Sequence, residues 1–192
     1  MPDAITMLRD DHKRVEKLFK EFEKLEKNDA SASKKRGVVE QIIAELSVHA
    51  AIEEQAFYPA VRELEDVGDV VLEGLEEHHV VKWTLSELDK MKGDEERFDA
   101  KVTVLMESVR HHVEEEEGEM FPKVREAMGR KALVELGDTM EKLRKAAPTK
   151  PHPRMPDEPP GNLVTGPAAA LTDRVGKSGL LGRGRAREGQ KS

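Results

Sequence analysis

Apolar residues recur every three or four positions along most of the first 146 residues, which is the period of an amphipathic helix. The pattern predicts four long helices over residues 4–27, 34–64, 70–91 and 95–128, and a shorter fifth helix over 131–146. Short polar or glycine-containing connections separate the helices, so neighbours in sequence are expected to run antiparallel. The predicted fold class is all-α, an up-down-up-down four-helix bundle with a short fifth helix.

The helical pattern stops after Ala147, and the composition changes there. Residues 148–161 are rich in proline, and the end of the chain is rich in glycine and basic residues. Such a composition predicts an extended, largely disordered tail without a core of its own, although residues 167–175 could form a short helix. We therefore divide the chain into a helical domain, residues 1–147, and a linker with a basic tail, residues 148–192.

Charge is distributed unevenly between these two parts. The whole chain carries a formal charge of −7. The tail has eight Lys/Arg and four Asp/Glu, a net charge of +4, which leaves −11 for the helical domain. An acidic body repels phosphates, so nucleic-acid binding by the folded part is not expected, whereas the basic tail could contact an acidic partner.

The cysteine count and the hydropathy profile exclude several classes of site. The chain has no cysteine, so disulfides, iron–sulfur clusters and thiolate zinc sites are excluded. No apolar run approaches the roughly 20 residues of a membrane span, and the first residues lack the plan of a signal peptide. The sequence therefore predicts a cytoplasmic protein without a membrane partner.

One motif occurs twice: a histidine is followed by a glutamate four residues later and by a proline ten residues later. The two copies are His49, Glu53 and Pro59, and His112, Glu116 and Pro122. Residues four apart are neighbours on one face of a helix, so each copy places an imidazole beside a carboxylate. This pair of groups is suited to binding a metal, and its duplication suggests a site for two metals.

Each copy is preceded by a helix that carries one more histidine of the repeat. Aligning His12 with His78 also aligns the apolar residues at offsets of 3, 7, 10 and 13, whereas using His79 destroys the agreement. The aligned apolar residues are Val15, Phe19, Phe22 and Leu25 in the first copy and Val81, Leu85, Leu88 and Met91 in the second. The chain is therefore interpreted as a duplicated helical hairpin with one repeated histidine on each of four helices.

These residues resemble the hemerythrin-like family, also called the HHE cation-binding domain, over residues 3–128. The two stretches at 53–59 and 116–122, each with paired glutamates before an aromatic residue and a proline, are typical of that family. The resemblance implies a non-haem di-iron centre, oxo- or hydroxo-bridged, inside the bundle, with the two glutamates as bridges. The implied metal ligands are His12, His49, Glu53, His78, His112 and Glu116.

The donor types agree with this assignment without selecting the metal. Imidazole nitrogen and carboxylate oxygen suit iron, but also zinc, manganese or copper. Two metal ions need roughly ten to twelve coordination positions, more than these six side chains supply, so oxo, hydroxo, water or substrate must complete the set. The centre is therefore expected to be open to a small ligand.

The chain differs from the oxygen-carrying hemerythrins, which use a fifth histidine in a His-x-x-x-His pair on the third helix. Here the positions four before and four after His78 are Gly74 and Lys82. We therefore expect binding of, or reaction with, hydrogen peroxide, oxygen or nitric oxide in oxidative or nitrosative stress, with catalase-like peroxide decomposition as the enzymatic form. The alternative is iron or oxygen storage, or sensing, without turnover.

Other residues of interest have simpler interpretations. His79, His111 and His152 lie outside the repeat register and are expected to be ordinary surface or packing residues. A pair formed by His111 and Glu116 remains an alternative, although it does not fit the repeat. Tyr58 aligns with a phenylalanine and is expected in the core or beside the ligands, and Trp83 is expected to pack between helices.

Overall fold

The chain forms six helical segments, in a computed structural model that describes residues 2–156, 159, 161, 162, 169, 170 and 173. They are α1 (Ala4–Lys27), α2 (Ala32–Ile52), α3 (Tyr58–Val61), α4 (Gly68–Leu88), α5 (Phe98–Glu115) and α6 (Phe121–Ala146). Two π-helical turns, Glu53–Phe57 and Glu116–Met120, join α2 to α3 and α5 to α6. These residues contain no strand, and the predicted all-α fold is confirmed.

The four long helices pack around two hydrophobic clusters separated by a layer of polar side chains. One cluster contains Ile5 and Leu8 of α1, before His12, and the other contains Val15 and Phe19, after it. α2 and α5 pass through the two clusters in the opposite order to α1 and α4, as the up-down-up-down topology requires. The predicted metal ligands therefore lie at mid-height in the bundle, with apolar packing above and below them.

The π turns begin at the two glutamates of the repeated motif. The Tyr58 N–H donates to the Glu53 carbonyl, and the Phe121 N–H donates to the Glu116 carbonyl, both across five residues. The next residue in each case is a proline, which has no N–H and cannot continue the pattern. The sequence predicted unbroken helices over 34–64 and 95–128 with a proline kink, so the π turns correct that prediction. Each π turn ends where the proline, which lacks an N–H, prevents a further hydrogen bond across five residues.

The second half of α6 is a distinct segment that lies against the start of α1. Gly129 has φ +70°, which interrupts the helix at the residue where the sequence predicted its end. At Gly137, a Cβ atom would lie 2.8 Å from the Pro2 carbonyl oxygen, so glycine permits this close approach. The predicted fifth helix is thereby placed where its C-terminal end can reach α1 beside His12.

The described residues of the tail contact one another and the bundle. The backbone N–H groups of Thr149 and Lys150 donate to Asp173 Oδ2, at 2.9 and 3.0 Å. The Asn162 side-chain amide donates to the backbone carbonyl of Glu54 at 3.2 Å. In the π pattern this carbonyl would accept from the N–H of residue 59, but Pro59 has no N–H. The predicted disorder of the basic end of the chain lies outside the described residues, as does most of the suggested helix at 167–175.

The outer face of α4 carries an aromatic residue that the sequence placed elsewhere. Trp83 was predicted to pack between helices, but its side chain is exposed and its indole N–H donates to His79 Nε2 at 3.1 Å. The prediction is wrong because the neighbouring Lys82 turns into the bundle, which directs position 83 outward.

No helix in the described part of the chain is both long and apolar enough to span a membrane.

Candidate metal centre

All six side chains predicted as ligands lie together in the polar layer, and all six are buried. α1, α2, α4 and α5 contribute one histidine each, and the glutamates come from the starts of the two π turns. Each imidazole directs its Nε2 atom toward a glutamate or another imidazole of the cluster. The antiparallel duplication therefore brings residues up to about a hundred positions apart into one layer.

The Glu53 carboxylate lies between the two hairpins. Its Oε2 atom is 3.2 Å from His49 Nε2, on its own helix, and 3.3 Å from His78 Nε2, on α4. Glu53 is fully buried, and among the described residues neither of its side-chain oxygens has a hydrogen-bond partner. Both oxygens are therefore available as donors to a cation, which is the position that a bridging carboxylate would need.

The Glu116 carboxylate holds the corresponding position in the second hairpin. Its Oε2 atom lies 3.2 Å from His12 Nε2 and 3.7 Å from His112 Nε2. Its Oε1 atom accepts a hydrogen bond of 3.0 Å from the Tyr58 hydroxyl. Each glutamate thus contacts one histidine from each hairpin, so both carboxylates can join the two halves of the centre.

The donor atoms fall into two groups whose members lie within 4.8 Å of one another. The first group is His12, His49, Glu53 and Glu116, and the second is Glu53, His78 and His112. Glu53 belongs to both groups. The arrangement therefore has the donors for two neighbouring metal ions with a shared carboxylate.

The electrostatics of the layer favour a cation. Burial raises the pKa of Glu53, and the negative charge of Glu116 raises it further. Burial would also raise the pKa of Glu116, but His112 and His12 lower it well below its usual value. Two adjacent buried carboxylates cannot both be ionised cheaply without a compensating charge. A divalent cation would supply that charge, so the residues fit the metal that their donor types imply.

Every one of the four imidazoles has a carboxylate on its other nitrogen, Nδ1. These contacts are His12 to Glu117 at 2.8 Å, His49 to Asp11 at 3.5 Å, His78 to Glu54 at 3.1 Å and His112 to Glu77 at 2.6 Å. A carboxylate on Nδ1 favours the proton there and leaves the Nε2 lone pair for a metal. The cluster therefore has the outer carboxylates that metal-bound histidines usually have.

These four outer carboxylates were missed by the sequence reasoning, although the repeat contains them. Asp11 and Glu77 each directly precede the first histidine of a hairpin, and Glu54 and Glu117 each directly follow a central glutamate. Extending the alignment by one residue on each side would have found all four. The duplication therefore includes the outer carboxylates as well as the donors.

Cations contact three of the four outer carboxylates: Asp11 and Glu54 in the first hairpin and, through Arg9 at 3.6 Å, Glu117 in the second. Arg144, at the end of α6, donates to Asp11 Oδ2 at 2.6 Å, and Arg14 contacts the other oxygen of Asp11. Lys82 donates to both oxygens of Glu54, at 2.9 and 3.1 Å. Burial would raise the pKa of Asp11, but its contacts with His49 and Arg144 lower it to about 2. Asp11 therefore remains a carboxylate at neutral pH.

The two positions that could carry the fifth histidine of the oxygen carriers, four residues before and four after His78, are Gly74 and Lys82 in this chain. A Cβ atom at Gly74 would lie 3.0 Å from the Tyr58 hydroxyl and 3.3 Å from His112 Cε1, so position 74 faces the centre. Lys82, the other flanking position, is engaged by Glu54. The hydroxyl of Tyr58 therefore lies beside the position from which a fifth imidazole would reach the centre.

A small chamber adjoins the imidazoles. Its volume is about 20 Å³, and it is lined by the four histidines together with Val15, Leu46, Ala50, Val81, Val109 and Val113. A groove of about 320 Å³ between α1 and α5 shares His12, Val15, Val109 and Val113 with the chamber and also contains Glu117. The groove and the chamber are therefore adjacent on the His12 side of the centre, where three valines line both.

The remaining histidines lie outside the layer. His79 contacts Trp83, and His152 Nε2 lies 3.3 Å from Asp173 Oδ1. His111 is exposed, and its Nε2 lies 3.4 Å from Glu115 rather than beside Glu116. The structure therefore favours His112 over His111 as the partner of Glu116, as the repeat register indicated.

Comparison with known proteins gives a family match over most of the helical domain. Residues 3–124 match the Hemerythrin family, described as the hemerythrin HHE cation binding domain. An uncharacterized hemerythrin-like protein of Schizosaccharomyces pombe is 29% identical over 137 residues, which cover 70% of this chain and 68% of that protein. The range matched by the family model, residues 3–124, spans the positions of all six predicted ligands.

Two further proteins are similar over part or most of the chain. A DNA nickase of Nostoc sp. is 31% identical over 119 residues, which cover 62% of this chain but only 32% of that protein. The crystal structure of a hemerythrin HHE cation binding domain-containing protein from Mycobacterium kansasii aligns with a TM-score of 0.61 at 23% identity, covering 76% of this chain and 89% of that one. The structural likeness supports the fold.

Proposed function

The chain belongs to the hemerythrin HHE cation binding domain family, and from that premise we propose that its metal is a pair of iron ions that react with small oxidants. The oxidants are hydrogen peroxide, oxygen and nitric oxide, and the role is protection against oxidative or nitrosative stress. The observation that carries the proposal is the pair of donor groups that share Glu53. Bound iron would supply the one-electron redox chemistry that no side chain of the cluster possesses.

The side chains have distinct tasks in this proposal. His12 and His49 would hold one ion, His78 and His112 would hold the other, and the two central glutamates would contact both. The outer carboxylates keep the imidazole protons on Nδ1, so that the Nε2 atoms remain donors. The Tyr58 hydroxyl donates to Glu116 Oε1 and fixes the orientation of that carboxylate.

The size of the chamber limits the substrate class. A water molecule needs roughly 10–15 Å³ of such space, so a chamber of about 20 Å³ accepts little more than a molecule of that size. Its walls beyond the histidines are apolar, and they offer no group that would orient a larger polar substrate. Peroxide, oxygen and nitric oxide are small enough for this chamber.

Reaction is favoured over reversible oxygen carriage by the residues that flank His78. Gly74 has no side chain, and Lys82 is bound to Glu54, so neither supplies a fifth imidazole. A centre with fewer protein donors leaves more positions for water or an oxidant. DNA nicking is not carried over from the Nostoc relative, because this chain spans about a third of that protein and its helical domain is acidic.

A peroxide assay with the iron-loaded protein tests the proposal. We expect oxygen release or peroxide consumption that depends on iron and falls at least about tenfold in His49→Ala, because loss of even an outer partner of a metal typically costs that factor. A Clark electrode and the ultraviolet absorbance of peroxide measure it. An iron-loaded protein that changes colour reversibly with oxygen but consumes neither peroxide nor nitric oxide would favour storage or sensing instead.

A bulkier side chain where the groove meets the chamber should slow the reaction with peroxide without removing the metal. Val109 lines both the groove and the chamber, so Val109→Phe is expected to reduce the rate with peroxide several-fold or more. Overpacking there costs about 1–3 kcal/mol of stability, so the melting temperature and the iron content are measured on the same sample. Val104→Phe, at an exposed position of the same helix, is the matched control. Equal rates for the two variants would exclude this route.

A further inference from the structure

A second group of possible metal donors lies on the surface outside His112. Glu77 of α4 and the pair His111 and Glu115 of α5 place one donor atom each within 4.8 Å of the others. His111 Nε2 lies 3.4 Å from Glu115 Oε1 and 3.9 Å from Glu77 Oε1. Because His111 and Glu115 are four residues apart, both project from the same face of α5 toward Glu77.

Glu77 connects this surface group to the buried centre. Its Oε2 atom accepts a hydrogen bond of 2.6 Å from His112 Nδ1, while its Oε1 atom faces His111. One oxygen therefore serves the inner histidine and the other is directed to the surface group. The carboxylate is thus already held in place on its inner side.

In the first hairpin, the carboxylate at the position equivalent to Glu77 is paired with arginines. Asp11, the counterpart of Glu77, is contacted by the guanidinium groups of Arg144 and Arg14. The positions equivalent to His111 and Glu115 are Val48 and Ile52, which cannot bind a cation. Arginines of α1 and α6 bring positive charge to Asp11, whereas the second hairpin places an imidazole and a second carboxylate beside Glu77. The second hairpin therefore gathers negative charge and donor atoms at a place where the first is neutralised.

We propose that Glu77, His111 and Glu115 bind a divalent transition-metal ion at the surface, separate from the buried pair. One imidazole nitrogen and two carboxylate oxygens form a donor set suited to Zn²⁺, Fe²⁺ or Mn²⁺, with water completing the coordination. The ion neutralises the two carboxylates, and its donors are accessible without opening the bundle. The site is weaker than the buried one, because it has three donors and is exposed to solvent.

Calorimetric titration of the iron-loaded protein with Zn²⁺ tests the site. We expect one further equivalent of Zn²⁺ to bind, and its affinity to fall at least about tenfold in both His111→Ala and Glu115→Gln, since loss of an outer partner alone typically costs that much. His79→Ala and Glu114→Gln, a neighbouring histidine and a neighbouring glutamate outside the group, should bind as the wild type does. Binding unchanged in both test variants, or no further equivalent in the wild type, would overturn the proposal.

The surface site and the buried centre can be tested separately. Iron content is measured after each titration, so that displacement of iron by Zn²⁺ is recognised. Glu53→Gln alters the buried centre alone and should retain the surface equivalent of Zn²⁺. His111→Ala should in turn retain the iron content and peroxide reaction of the wild type. A surface equivalent that disappears in Glu53→Gln would assign the bound Zn²⁺ to the buried centre and contradict the surface site.

Discussion

Glu53→Gln is expected to weaken the binding of both buried metal ions, by about a hundredfold or more. Substituting an outer partner of a metal site typically costs about 10–100-fold in affinity, and a shared direct donor should cost at least the upper end of that range. Glu53 belongs to both donor groups, and both its oxygens are buried without a hydrogen-bond partner among the described residues. Glutamine keeps the size of the side chain but removes its charge, so the loss reports on electrostatics rather than on packing.

Two matched variants serve as controls for Glu53→Gln. Glu117→Gln removes the outer partner of His12 and should weaken binding less, by roughly tenfold. Glu63→Gln changes an exposed glutamate far from the centre and should have no effect. Competition with a chelator of known affinity measures all three. If Glu53→Gln bound metal as tightly as Glu63→Gln does, the shared carboxylate would have no role in the site.

Removing both metal ions is expected to lower the melting temperature by on the order of 15–30 °C. Each ion bound at a thousand times its dissociation constant adds about 4 kcal/mol to folding, and a domain of this size shifts about 2–4 °C per kcal/mol. The metal-free layer is costly for a physical reason. Burial and the charge of Glu116 raise the pKa of Glu53, and burial lowers the pKa of His49 to about 4. Calorimetric scans before and after chelation and dialysis provide the comparison.

The same scan on Glu53→Gln separates metal linkage from a general effect of the chelator. Chelation should barely change the melting temperature of this variant, since it binds little metal. In the metal-free state, Glu53→Gln should be at least as stable as the wild type, because it removes a buried carboxylate from beside Glu116. A wild-type melting temperature that does not respond to chelation would mean that the buried layer is stable without a cation.

The duplicated pattern made the main features of the centre predictable from sequence. Aligning His12 with His78 identified the repeat register, and that register selected Glu116 from a run of four glutamates. The structure places all six of these residues in one buried layer. These residues meet because antiparallel helices of similar length bring equivalent positions of two hairpins to the same height in the bundle.

Other parts of the site depend on tertiary contacts that no periodicity encodes. Arg144 reaches Asp11 only because α6 turns at Gly129 and packs on the start of α1. Tyr58 and Phe121 are equivalent in the repeat, yet only the tyrosine has a hydroxyl to bond Glu116. The π turns also escaped prediction, since the spacing of apolar residues does not show that the backbone hydrogen bonds come to span five residues at Glu53 and Glu116. These differences make the two halves of the centre unequal.

The metal-to-protein ratio of the purified, iron-loaded chain tests the central claim most directly. The protein is loaded with Fe²⁺ without oxygen, passed through gel filtration to remove free metal and the more weakly held surface ion, and analysed for metal and protein together. We predict a ratio of about two for the wild type, from the two donor groups that share Glu53, and a ratio near zero for Glu53→Gln. A wild-type ratio near one, or a ratio of two that Glu53→Gln leaves unchanged, would contradict a two-metal centre built on that carboxylate.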